Sequence, residues 1–375
     1  MKIKTIQAFP LTYPEPHYNH VDRYITLARI ETEDGIVGWG ECIAQFREAA
    51  LAVKVIIEQG LAPLLIGEEA IDVERLWQKM QNRIWWYGPE GIAAFGVSAL
   101  DMALWDLKGK ALGLPVCQLI GGQIRDKVPA MASFIFDMED IDWTLNEFRW
   151  MCDQGYWFVK AGWGMRPEAL FGHDRVRDIE FVRRIREVIG DERELVVDTP
   201  GIYRLWDVPT AIQRFRDLEA YRLAWIEQPL FPSDLEGHAR LRAAVSTPIG
   251  TGEDEWDLDS YKHLIRSGGV DIIQIDPGRC HGITGLRNVI KLIEAENLQY
   301  SMHTWSSALN SAASVHLLAI SNRGVSMDFK PHESPMQHEL VSDPWVQKDG
   351  YLNVRDTPGL GVHVREEIVQ KYLFG

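Results

Sequence analysis

The hydrophobic pattern of the chain changes character near residue 125. Before that point, alternating runs KIKTIQAFPL and RYITLARIET predict strands, and EDGIVGWGE predicts a turn followed by a third. Helical patterns follow: ALAVKVIIEQGLAPLLIG, DVERLWQKMQNRIWW and FGVSALDMALWDLKGKALG, the last ended by Gly113 in a C′-like position with Pro115 just beyond. After residue 125, eight short apolar runs alternate with amphipathic segments of helix length. The runs are KVPAMAS, WFVKAG, ELVVDTP, AWIEQPL, PIGTGE, DIIQIDP, LQYSMHT and VSMDF; the intervening segments include DIEFVRRIREVIG and VPTAIQRFRDLEAY. Eight strands separated by helices predict an α/β fold, a modified TIM (β/α) barrel preceded by an α+β domain. The last connections read as shortened, so the eighth unit is the least regular. The expected organisation is residues 1–122 as a capping domain, 123–330 as the barrel, and 331–375 as a tail rich in Pro, Gly and charge that packs back on the first domain.

In such a barrel the residue ending each strand points into one shared mouth. Asp198, Glu227 and Glu253 stand at three successive strand ends, 29 and 26 positions apart. Singly, each acid could equally cap a helix. Together, three carboxylates in one mouth cannot all stay ionised without a cation, and all-oxygen ligation suits a hard ion such as Mg²⁺. Asp276, His303 and Asp328 end the next three runs, and Lys160 ends the second. An Asp beside a His on adjacent strand ends suits general-base work, because the carboxylate fixes the imidazole tautomer and raises its basicity. Lys160 reads as a buried ion-pair partner or as a base.

Composition narrows the classes. The chain has 375 residues, 46 % of them hydrophobic, and a net charge of −15, with no basic cluster of the kind that binds nucleic acid or a membrane surface. No run reaches the ~18 apolar residues of a membrane span, and the start MKIKTIQAFPLTYPE carries no signal-peptide pattern. The four cysteines lack CxxC spacing, which fits reduced thiols, and a cytoplasmic location is expected.

The segment ALDMALWDLKGKALGLPVCQLIGG (99–122), the run EDGIVGWGE and the ordered set Asp198, Glu227, Glu253, Asp276, His303 resemble the enolase superfamily, specifically its mandelate racemase/muconate lactonizing enzyme-like branch with acid-sugar dehydratases. The resemblance covers nearly the whole chain. It implies that the first domain caps the mouth and selects the substrate through PEPHYNHVDRY (14–24), with His17, Tyr18, His20 and Arg23 as contacts. Trp163 and Trp305 are counted with them as substrate-lining. It further implies Asp198, Glu227 and Glu253 as Mg²⁺ ligands, His303 oriented by Asp276 as general base, Asp328 on a substrate carboxylate or enolate oxygen, and a homo-oligomeric assembly. Asp328 stands where relatives usually carry Glu; Glu333 is a nearby substitute in a loop-like PHESP setting.

Two departures bear on the reaction. Relatives commonly carry Lys-x-Lys at the second strand end, and the second Lys serves as base on the opposite face; here Gly162 takes that place. At the third strand, Pro200 stands where relatives carry Asn or His. With one base, the expected reaction is dehydration of an acid sugar to a 2-keto-3-deoxy acid. The alternative is an isomerase: a cycloisomerase of a sugar lactone or anhydro acid, or an epimerase with Lys160 as second base. A binding protein on a decayed barrel is the reading from a different class. Arg279, in DPGRCHG, is a further candidate cation, read first as a surface-loop arginine.

Overall fold

A computed structural model describes residues 1–16, 18, 20–166 and 169–375; His17 lies outside the described residues. Three strands, β1 (Ile3–Glu15), β2 (Val21–Thr32) and β3 (Val37–Cys42), form an antiparallel meander in that order. The helix Ile92–Leu112 lies across β3 at very short range. A Cβ on Gly38 would stand 2.2 Å from the Ala103 carbonyl oxygen, and one on Gly40 would stand 2.1 Å from that of Ala99. The glycines of GIVGWGE therefore permit helix and strand to touch backbone to backbone.

That helix also joins the sheet to the barrel through buried acids. Asp101 accepts hydrogen bonds from the Thr284 amide and hydroxyl, and Trp105 Nε1 donates to the same hydroxyl at 2.8 Å. Asp106 accepts from the Trp39 and Leu360 amides, both at 2.9 Å. The helix ends at Gly113, which adopts the left-handed conformation (φ 69°) expected of a C-terminal cap. The run ALAVKVIIEQGLAPLLIG, read as one helix, is instead broken into Arg47–Val55, a π-helical turn Ile56–Leu61 and Ala62–Leu65. Pro63 has no N–H to donate within the last piece, and the π turn absorbs the change of register before it.

The second half closes into a parallel barrel. Its strands are β4 (Lys127–Ile135), β5 (Phe158–Gly162), β6 (Glu194–Asp198), β7 (Trp225–Glu227), β8 (Ile249–Thr251), β9 (Ile272–Ile275), β10 (Gln299–Met302) and β11 (Gly324–Phe329). They hydrogen-bond in that order, and β11 pairs back to β4, so the eighth strand is fully in place. Met131, Val196, Trp225 and Ile272 form an apolar plug inside the barrel, with Phe158 packed against it. Side chains two residues on point the same way along a strand. Lys160, Asp198, Glu227 and Gln274 therefore form the next layer, above the plug and under the mouth. In the tail, Tyr351–Asn353 (β12) pairs antiparallel with Lys127–Pro129, and the helix Glu366–Tyr372 lies against β1. Among the described residues, no helix is long and apolar enough to cross a membrane.

Candidate active site

A cavity of about 370 Å³ opens where the cap meets the C-terminal ends of the barrel strands. From the barrel it is lined by Lys160, Asp198, Glu253, Asp276, His303 and Asp328. Strand register places Gly162 opposite Asp198, and Asp198 opposite Glu227, in one row. Glu227 sits just below, fully buried.

Lys160 is the hub of the acid cluster. Its Nζ lies 2.8 Å from Glu227 Oε1, 3.1 Å from Asp328 Oδ1 and 3.6 Å from Asp198 Oδ2. Burial would lower its pKa, but Asp328, Glu227 and Asp198 together hold it well above the usual lysine value. The acids outnumber this lysine. Burial and the Glu227 charge push Asp198 well above the usual carboxylate range, with Lys160 opposing. Burial pushes Glu253 up to about 7, opposed by His303 and reinforced by Glu227. The other oxygens are steered by neutral donors. Trp163 Nε1 donates to Asp198 Oδ1 at 3.1 Å; Trp225 Nε1 (3.0 Å) and Gln274 Nε2 (2.6 Å) donate to Glu227 Oε2.

Among the described residues, no three His, Cys, Asp or Glu side chains already form a cage around one point; Lys160 stands between the acids instead. The donor chemistry nevertheless fits a hard divalent cation: carboxylate oxygens on three neighbouring strand ends, mutually repelling and short of positive charge. Asp198, Glu227 and Glu253 are the residues able to supply it.

His303 faces this cluster from the seventh strand end. Its Nδ1 lies 2.6 Å from Asp276 Oδ2, and its Nε2 looks toward Glu253 at 4.0 Å. Asp276 is fixed in turn by Asn310 Nδ2 (3.0 Å) and the Gly278 amide (2.7 Å), both on Oδ1. Burial alone would depress the imidazole pKa, but Glu253 and Asp276 overcome it and push it up to about 10.

On the opposite side, a side chain at position 162 would force the backbone of the neighbouring strand to move. A Cβ there would lie 1.8 Å from the Asp198 carbonyl oxygen. The next residue, Trp163, takes a left-handed backbone (φ 57°), donates its amide to that same oxygen at 3.0 Å and turns its indole onto the Asp198 carboxylate.

The cap contributes Tyr18 and Arg23 to the lining, and Trp305 comes from beyond the seventh strand. The Arg23 guanidinium lies 5.0 Å over the Trp305 ring and donates to its carbonyl; buried Lys330, ion-paired to Glu15, covers the same ring at 4.9 Å. His20 is exposed and is not among the residues that line the cavity; Glu333 is likewise exposed and outside it. The reading of Arg279 as a surface-loop arginine is corrected. Its guanidinium stacks 3.6 Å over Trp256, donates to the Asp254 carbonyl at 2.8 Å and lines the cavity. Sequence reasoning missed Trp256, Gln274 and Asn310, because their roles come from long-range packing.

Comparison with known proteins agrees with this architecture. The enolase C-terminal domain-like family model matches residues 144–368, and the N-terminal domain model of mandelate racemase/muconate lactonizing enzyme matches 17–121. The chain is 31 % identical over 350 residues to a D-galactonate dehydratase from Klebsiella pneumoniae, covering 91 % of this chain and 89 % of that protein. Among solved structures, the 3,6-anhydro-D-galactonate cycloisomerase from Zobellia galactanivorans superposes with a TM-score of 0.90 at 30 % identity, covering 100 % of both chains. A racemase from Streptomyces coelicolor A3(2) with bound magnesium superposes with a TM-score of 0.88 at 28 % identity, covering 99 % of this chain and 100 % of that one. The chain belongs to the enolase superfamily, in its mandelate racemase/muconate lactonizing enzyme branch.

Proposed function

We propose that this protein removes the proton α to the carboxylate of an acid sugar and expels the β-hydroxyl, giving a 2-keto-3-deoxy acid, with Asp198, Glu227 and Glu253 holding Mg²⁺. The observation that carries this reading is a His–Asp pair on one side of the cavity facing a side where Gly162 leaves no room for a second base. When bound, Mg²⁺ supplies positive charge against the substrate carboxylate and against Glu253, the carboxylate that helps hold His303 protonated.

The chain's own groups do the rest. Asp276 accepts a hydrogen bond from Nδ1–H of His303 and leaves Nε2 as the basic nitrogen on the cavity side. His303 takes the α-proton there. The resulting imidazolium then protonates the departing β-hydroxyl, so one residue serves both halves; water is lost, and the enol left behind becomes the 2-keto-3-deoxy acid by losing its C2-hydroxyl proton and gaining one at C3. Lys160 and Asp328 line the cavity 3.1 Å from each other, beside the acids assigned to the metal, where the substrate carboxylate would lie. Phe95, Trp163, Trp256 and Trp305 give the cavity aromatic walls.

A second reading, cycloisomerisation of a lactone or anhydro acid, uses the same base; the aromatic walls and the 30 % identity to the Zobellia enzyme favour keeping it. Epimerisation through Lys160 is disfavoured, because its ammonium is held by three carboxylates. The test is incubation with Mg²⁺ and a panel of hexonic, hexaric and 3,6-anhydrohexonic acids. A 2-keto-3-deoxy product formed from a hexonic or hexaric acid with loss of water supports dehydration; ring opening of the anhydro acid, which gives a 2-keto-3-deoxy acid with no loss of water, supports the second reading; no reaction and no α-proton exchange with any acid contradicts both.

A further inference from the structure

Glu41, near the end of β3 in the cap, is fully buried and has no part in the chemistry above. Its carboxylate reaches into the barrel. It accepts from the Ser307 amide at 3.2 Å, from the Ser307 hydroxyl and from the Asn310 amide at 3.3 Å. These donors form the first turn of the helix Ala308–Ala319. That helix already has its own cap, since Ser307 Oγ accepts from the Leu309 amide. Burying a carboxylate costs several kcal/mol, so capping alone is a poor reason to place one here.

The next link gives a better reason. Asn310, held by its amide on Glu41, donates its side-chain Nδ2 to Asp276 Oδ1. The other donor to that oxygen is the Gly278 amide, and the Gly278 carbonyl accepts from the Ile43 amide at 3.2 Å. Both donors that fix the His303 partner are thus held by one cap strand and its end. The junction is close-packed: a Cβ on Gly278 would lie 3.2 Å from Asp276 Oδ1, 3.3 Å from Ile43 N and 3.4 Å from Asn310 Nδ2.

We propose that Glu41 is a positioning residue for the general base, acting through Asn310 on Asp276 so that His303 is correctly oriented only when the cap is seated on the barrel. This rests on the reading of His303 as base.

The test uses the full chain with Mg²⁺, as Glu41→Gln, Asn310→Ala and the double variant. One readout needs no substrate: the low-field NMR resonance of the proton between His303 and Asp276, assigned by its loss in His303→Asn. The other is the kcat and KM for the acid from the hexonic, hexaric and 3,6-anhydrohexonic panel that the wild type turns over fastest. Both single variants are expected to shift the resonance and lower kcat about tenfold while KM changes less than about twofold. The double variant should be no worse than the poorer single one, because the two residues act in series. An unchanged resonance and kcat in Glu41→Gln, or effects that multiply in the double variant, would overturn the proposal. If Glu41→Gln does not fold, Glu41→Asp, which keeps the carboxylate but draws it back from Ser307 and Asn310 by one methylene, is paired with Asn310→Ala in the same cycle. Persisting α-proton exchange in His303→Asn would instead refute the base; loss there with no effect at Glu41 would refute only the positioning role.

Discussion

Gly162→Ala adds a single methyl group at the point where the account excludes a second base. The new Cβ would stand 1.8 Å from the Asp198 carbonyl oxygen, 2.6 Å from its carbonyl carbon and 2.8 Å from its Cα. Cβ atoms essentially never approach closer than 3.0 Å, so β5 and β6 must separate by 3.0 − 1.8 = 1.2 Å at the pair Gly162–Asp198. Backbone atoms cannot swing aside as a side-chain end does, and overpacking of this kind costs about 1–3 kcal/mol. The same shift displaces Asp198 and Trp163, whose amide bonds the Asp198 carbonyl. A misplacement of about 1 Å at a reacting site lowers the rate by about 10²-fold. Urea unfolding, Mg²⁺ titration calorimetry and α-proton exchange in D₂O measure the three effects. The expected variant folds, is less stable, binds Mg²⁺ more weakly and exchanges about 10²-fold more slowly. Wild-type stability together with a wild-type exchange rate would refute the steric reasoning, and with it the argument that this backbone refuses the second lysine of a two-base enzyme.

Three other outcomes follow from the charge arrangement. Lys160→Met leaves Glu227, Asp328 and Asp198 without their shared cation; in chelator the variant should lose about 3–5 kcal/mol by urea unfolding, and Mg²⁺ should recover part of it, whereas equal stability of variant and wild type in chelator would contradict the hub role. Burial raises Glu253 from 4.5 to about 7, so its contribution is complete below the unfolded value of 4.5 and is lost as pH rises through 7; in chelator the stability advantage of wild type over Glu253→Gln should shrink from pH 4.5 to 7, and parallel pH profiles would be inconsistent with it. Trp163→Phe removes the indole donor to Asp198 Oδ1 and should weaken Mg²⁺ affinity about tenfold by calorimetry; unchanged affinity would remove that indole from the support of the ligand.

The barrel is readable because seven of its eight strands are short apolar runs with an acid, lysine or histidine near the end, and strand register turns that spacing into a common mouth. The His303–Asp276 contact follows from the same regularity across adjacent strands. Other features escaped for physical reasons. Glu41 and Asn310 are 269 positions apart and meet only because the cap strand and a barrel helix dock, which no local pattern reports. Arg279 reads as a loop cation until Trp256 is seen beneath it. The loop containing His20 was assigned contacts as a unit, yet only some of its side chains turn inward: Tyr18 and Arg23 line the cavity and His20 faces outward. The absent lysine at position 162 was visible in the sequence, but the reason was not; it lies in the carbonyl of the neighbouring strand.

The claim at the centre is that His303 alone moves the α-proton, on one face of the substrate. Its most direct test compares wild type with His303→Asn in D₂O and Mg²⁺, following by NMR the α-position of the panel acid that reacts. The account predicts α-proton loss from one configuration only in the wild type, and no loss in His303→Asn while Mg²⁺ still binds. Proton loss that persists in His303→Asn, or wild-type exchange of both α-configurations, would contradict it.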